Sequence, residues 1–182
     1  MTRDEALTLL KKYNESEALI NHGKAVEAVM KAFAKHYGED EDYWGNVGLL
    51  HDLDYEKWPE QHCVKTEELL KEENVDDAFI RAICSHGWKI CTDIEPKLQM
   101  EKVLYTVDEL CGLINATALM RPTKMDGMTV KSLKKKFKAS SFAAGVNREV
   151  IQEGAKLMNM DLPKIMEMSI KAMEEVASDI GL

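Results

Sequence analysis

Apolar side chains recur at three- and four-residue steps along most of the chain, the spacing of one helix face. The clearest stripe is Leu19, Val26, Val29, Met30, Phe33 and Tyr37, and it predicts a helix from Ser16 to Tyr37. Gly38 supplies a stop, and the acids Glu39 to Asp42 suit the first turn of a next helix through Tyr43, Val47 and Leu50. The charged opening, MTRDEALTLLKKYN, reads as the start of a helix. Pro59 marks a loop, and Val64 to Glu73 returns to helix. Val75-Asp76-Asp77 opens another helix, through Phe79, Ile80 and Ile83 to Gly87. Beyond Pro96 a second long stripe runs through Met100, Val103, Leu104, Val107, Cys111 and Ile114. Pro122 to Thr129 reads as a loop, and Asp161 with Pro163 as the start of a last helix, Lys164 to Ala177, whose methionines suit a core. No segment alternates with a period of two. The expectation is therefore an all-α fold, a single-domain helical bundle over residues 1–182.

Composition agrees and adds exclusions. Aromatics make up 7% of the 182 residues, and 45% hydrophobic against 31% charged rules out a disordered or fibrous chain. No apolar run approaches a membrane span and no secretory signal is visible, so the expected address is the cytoplasm. Cys63, Cys84, Cys91 and Cys111 form no C-x-x-C pair, which argues against a zinc knuckle and for reduced, mostly buried thiols. The net charge of −8 argues against a nucleic-acid polymer as partner. That charge is uneven, however. From Arg121 to Arg148 eight basic side chains face the single acid Asp126, so this segment carries +7 and the rest −15.

A few polar residues interrupt the apolar pattern. His22 shares the face of Val26, Val29, Met30 and Phe33. Asp108 lies between Leu104 and Cys111 on the apolar face of its own helix, where a carboxylate is costly unless paired or metal-bound. His51 and Asp52 are adjacent, so a continuing helix would point them about 100° apart. They converge on one ion only if the helix ends there and the backbone turns. Two imidazoles and two carboxylates suit a divalent first-row cation. Taken singly, a His on an apolar stripe is more often a hydrogen-bonded core residue, and a buried Asp more often pairs with Arg or caps a helix. Their co-occurrence, with His86 between Asp52 and Asp108, is what points to a site. His36, beside Gly38, reads as a surface or capping residue.

Four segments carry a resemblance: Asn21-His22-Gly23, GLLHDLDYEKWPEQH from Gly48 to His62, AICSHG from Ala82 to Gly87, and YTVDEL from Tyr105 to Leu110. Over roughly its first two thirds the chain resembles the HD superfamily of metal-dependent phosphohydrolases, in a subgroup with HDLDYE-type motifs. The resemblance implies a bundle of the HD-domain type, with a metal-binding core at about 15–120 and a basic cover at about 121–182. It implies that His22, His51, Asp52 and Asp108 ligate a divalent metal (Mn, Fe, Zn, Co, Ni or Mg). Two-metal members of the superfamily use extra histidines in the interval where His62 and His86 fall, so the resemblance implies one ion or two, the second held by His62 and His86 with Asp52 bridging; the other reading makes His62 a loop residue near Pro59 and His86 a cap on its helix beside Gly87. The expected reaction is hydrolysis of a phosphate ester of a nucleotide or other small metabolite by metal-activated water. Arg121, Lys131, Lys138 and Arg148 are expected to hold phosphate oxygens, and Asp54 and Glu56, just past Asp52, to move the proton. Some mononucleotide-cleaving relatives carry a Glu three residues after the metal-binding Asp, where this chain has Tyr55. The alternative is a non-catalytic module that binds metal and nucleotide.

Overall fold

Side chains at several helix starts satisfy the amides that a first turn leaves unpaired. The computed structural model describes residues 1–182. Thr2 and Glu5 close a capping box on α1 (Arg3–Tyr13). The chain continues into α2 (Glu17–Tyr37), which Gly38 ends in the left-handed conformation. Asp40 accepts the Tyr43 amide and starts α3 (Glu41–Leu50). After α4 (Val64–Glu72), Asp76 accepts the Phe79 amide at the start of α5 (Asp77–Cys84). Then come α6 (Gln99–Leu119), α7 (Val130–Lys138), α8 (Arg148–Leu157) and α9 (Leu162–Glu175). Short 3-10 turns at Pro59–Gln61, Ser85–Gly87 and Ala177–Ile180 complete the structure. There is no β-strand beyond an isolated Trp88–Thr92 bridge. The protein is all-α, and no helix is long and apolar enough to cross a membrane.

The two longest helices, α2 and α6, form the centre. Helix α2 packs against α3, α6 and α9, while α6 also carries α8. The apolar interior is one contiguous cluster drawn from all nine helices, and Met158, Met166 and Met173 are buried in it. Helices α2 and α3 approach closely at Gly48, where a Cβ would stand 3.0 Å from the Val26 carbonyl oxygen. That approach brings His22, on α2, to the end of α3, where His51 and Asp52 sit.

Two helices fall where the sequence pattern shows none: α7 inside the basic segment and α8 just after it. In α7 the single buried residue is Leu133, so its stripe is too thin to read. Helix α8 buries Val150, Ile151, Gly154 and Ala155, and half of that contact surface is too small to register as hydrophobic periodicity. All four cysteines are free thiols, with Cys91 exposed and the other three buried.

Candidate metal centre

Helix α3 stops at Leu50, and the backbone then winds through a run of turns, with the Leu53 amide donating to the Leu50 carbonyl and the Tyr55 amide to that of Asp52. This break swings the adjacent His51 and Asp52 onto one side. His22 reaches them from α2 and Asp108 from α6. His62 comes from the turn before α4, and His86 from the 3-10 turn after α5. Six polar residues thus meet from five different segments of chain.

The cluster has two halves with Asp52 between them. Its Oδ2 lies 3.4 Å from His51 Nε2 and 4.0 Å from His22 Nε2. On this side Asp108 Oδ1 stands 2.9 Å from His22 Nε2 and 3.3 Å from His51 Nε2. Asp52 Oδ1 lies 3.4 Å from His62 Nε2 and 3.7 Å from His86 Nε2. The donor atoms of His22, His51 and Asp108 fall within 4.8 Å of one another, and so do those of His62, Cys63 and His86, so both groups could hold a metal ion.

Hydrogen bonds behind the rings fix which nitrogen faces the cluster. Behind His51, His62 and His86 the neighbouring oxygen is not a member of the cluster and only accepts, so the ring nitrogen beside it carries the proton. His51 Nδ1 donates to the Gly48 carbonyl at 2.7 Å, and His86 Nδ1 to the Ile83 carbonyl at 2.6 Å. His62 Nδ1 donates to Asp54 Oδ1 at 2.7 Å. All three Nε2 atoms therefore point inward. His51 Nε2 is fully buried, yet it has no hydrogen-bond partner and aims between the oxygens of Asp52 and Asp108. His62 Nε2 and His86 Nε2 face each other at 3.0 Å. Two imidazole lone pairs at that separation repel unless a cation or a proton lies between them. A buried nitrogen with no partner and a lone-pair encounter are both costly in an interior. Both costs vanish when a divalent cation takes up these atoms, so the residues present fit a metal.

The electrostatics agree. Burial alone would push the His51 ring down, but the charges of Asp52 and Asp108 outweigh it and hold the ring well above its ordinary value. The same balance runs in reverse for the acids. Burial would raise Asp52 and Asp108, yet the His51 ring, joined by His22, holds both well below the usual carboxylate range. Glu109, next to Asp108, differs. Burial pushes its carboxyl up against the opposing hydrogen bond from the Asn147 amide, at 2.8 Å.

The cluster forms the floor of a cavity of about 280 Å³. Tyr55, Ile90, Tyr105 and Val150 supply its walls, with Glu109 and Cys91 at the side. A larger cavity, about 610 Å³, lies between α1, α3 and α5. Its acids are already engaged: Asp40 and Asp76 cap helices, Glu5 closes the capping box, Glu73 accepts from Lys12 and Asp42 pairs with Lys31 at 3.6 Å.

The structure gives several of the expected site residues other work. Asp54 is fully buried and accepts from His62 Nδ1 and from the Thr66 amide at 2.9 Å, so it positions a ring rather than meeting a substrate. Glu56 accepts the Glu15 and Ser16 amides at 2.9 and 3.0 Å, at the entry to α2. No lysine or arginine lines the cavity. Lys131 and Lys138 are exposed on α7. Arg121 donates to the Lys124 and Asp126 carbonyls and closes its own loop. Arg148 donates to the carbonyls of Phe137, Ala139, Phe142, Ala143 and Val146, and so ties the end of α7 to the start of α8. His36 is exposed, away from the cluster. Glu109 and Cys91 are cavity residues that sequence reasoning passed over. The only signal for Glu109 was its place beside Asp108. No protein-family model matches the chain, and no solved structure matches it.

Proposed function

We propose that the protein is a metal-dependent phosphohydrolase of the HD type, acting on a small phosphate ester of a nucleotide or another metabolite. The observation that carries this reading is Asp52, whose two oxygens each face a separate group of inward-pointing imidazoles. His22, His51, Asp108 and Asp52 would hold one divalent cation, and His62, His86 and Asp52 a second. Such cations supply Lewis acidity and a water acidic enough to react near neutral pH.

The chain's own residues do the rest. Asp54, Gly48 and Ile83 lock the ring tautomers. The phosphoryl group belongs at the cavity floor, because no basic side chain elsewhere on the wall would meet its charge. The organic part of the ester lies against Tyr55, Ile90, Tyr105 and Val150, and the volume admits a small molecule only. Glu109, raised by burial and open to the cavity, delivers the proton to the leaving oxygen.

Elemental analysis of the purified protein should find a first-row divalent metal, and the protein with added Mn²⁺ should release phosphate from a panel of phosphomonoesters and diesters. Asp52→Ala should lose the metal and the activity together. Hydrolysis that persists in metal-free Asp52→Ala protein would overturn the reading.

A further inference from the structure

Three of the four cysteines gather beside the His62–His86 half of the cluster. Cys63 and Cys91 Sγ are 3.6 Å apart, and Cys84 Sγ lies 3.5 Å from the Cys63 carbonyl oxygen. Cys63 and Cys84 are buried, whereas Cys91 is exposed and lines the cavity. The backbone holds the pair in place. Cys63, at the entry to α4, has a φ of 68°, a conformation that a side chain rarely adopts. The amides of Ile90, Cys91 and Thr92 all donate to the Gly87 carbonyl, at 2.9, 2.9 and 3.0 Å, and fold this loop back over Gly87. A Cβ at Gly87 would collide with Cys91 Sγ and stand 3.0 Å from Cys63 Sγ. The two sulfurs are therefore packed together over a position that only glycine leaves free.

We propose that Cys63 and Cys91 are a modification site, a thiol pair that a hydroperoxide oxidises to a reversible disulfide. The Cys91 sulfur, reachable from the cavity, attacks the outer peroxide oxygen. The O–O bond breaks, an alcohol leaves, and Cys91 becomes a sulfenic acid. The Cys63 thiol then attacks the Cys91 sulfur. The S–S bond forms, the S–O bond breaks, and water leaves with the thiol proton. The two thiols lose two electrons in total and the peroxide gains them. A disulfide is about 2.05 Å long, so the sulfurs close by about 1.5 Å. His62 precedes Cys63 and His86 precedes Gly87, so this closure pulls on the two rings that face each other. The disulfide thus disables the second metal position, a consequence that rests on the function proposed above.

The test treats the full chain, with and without Mn²⁺, with a stoichiometric amount of tert-butyl hydroperoxide. Intact mass should show the loss of two hydrogens, peptide mapping should show a Cys63–Cys91 link, and dithiothreitol should reverse both. Cys91→Ser should abolish the link and Cys111→Ser should leave it. The exposed position of Cys91 keeps its variant foldable where a Cys63 variant would not be. Oxidised protein should bind one metal ion fewer than reduced protein. Oxidation of Cys91 to a sulfinic acid without a cross-link, or a link from Cys63 to Cys84 instead, would overturn the modification site. A correct link with metal stoichiometry unchanged would overturn its control of the metal position. Cross-linking in a protein that binds no metal in either state would sink the phosphohydrolase reading and leave the thiol pair standing.

Discussion

Asp54→Asn is a sharp probe of the half-site that holds His62. Asp54 is fully buried and meets two donors, His62 Nδ1–H at 2.7 Å and the Thr66 amide at 2.9 Å. It therefore needs two acceptor oxygens, and asparagine has one. The Thr66 amide cannot give up its proton, so the asparagine oxygen turns to it and the NH₂ faces His62 Nδ1. The imidazole can answer by moving its proton to Nε2. That puts a hydrogen where the ligand lone pair belongs. Losing such a partner behind a ligand costs about 10–100-fold in metal affinity, or about 1.4–2.8 kcal/mol. The other half-site is untouched, since Asp54 bonds only His62 and the Thr66 amide, and the His51 tautomer is held by the Gly48 carbonyl. Isothermal titration with Mn²⁺, checked by elemental stoichiometry, should show two binding steps in the natural protein. In the variant one step should move by about 10–100-fold while the other holds. Two unchanged steps in a folded variant would refute the tautomer argument. An equal fall in both would make Asp54 a stabiliser of the fold rather than a positioning residue for His62.

Glu109→Gln should keep both metal-binding steps, lower kcat by about 10²–10⁴-fold and erase the alkaline limb of the pH–rate profile, as expected on losing a general acid; a KM effect alone would count against that role. Metal-free protein should be most stable between about pH 4 and 6.5, by thermal or urea unfolding. The raised His51 ring stabilises fully below its unfolded value of 6.5 and ceases to do so as pH rises through its higher folded value. The depressed Asp52 and Asp108 stabilise above their unfolded value of 3.8 and cease to do so as pH falls through their lower folded values. A metal-free protein that gained stability from pH 7 to 9 would contradict the His51 sign, and one that gained stability as the pH fell below about 3.8 would contradict the carboxylate sign. Arg148→Ala should cost on the order of 3 kcal/mol in chemical denaturation, as expected when a charged donor leaves several carbonyls unserved, with metal binding unchanged. A raised KM at unaltered stability would instead return Arg148 to the phosphate-holding role suggested by the charge pattern.

The framework was legible because periodicity and punctuation agreed. Helix α2 carries an unbroken stripe and ends at a glycine, and α6 follows a proline with its apolar residues at helical steps. The residues of the cluster stood out for the opposite reason, since His22 and Asp108 occupy positions where packing alone asks for an apolar side chain. What did not show was any role set by a backbone group. Glu56 is spent on the Glu15 and Ser16 amides, and Arg148 on carbonyls of α7 and the loop after it. No pattern of side-chain types announces such a partner. The basic segment misled in the same way. Its charge is real, but α7 packs on α6 and α9, so its lysines face solvent rather than the cavity.

One carboxylate shared by two half-sites also has a thermodynamic consequence. An ion on either side would fix the rotamer of Asp52 and draw charge toward one of its oxygens, so the other side would meet a carboxylate already oriented and partly neutralised. Occupancy of the two positions is then linked, and reciprocity requires that each ion change the affinity of the other by the same factor. Metal loading of this protein should follow a binding polynomial with an interaction constant rather than two independent isotherms. Asp52 is the residue through which that constant can be tuned.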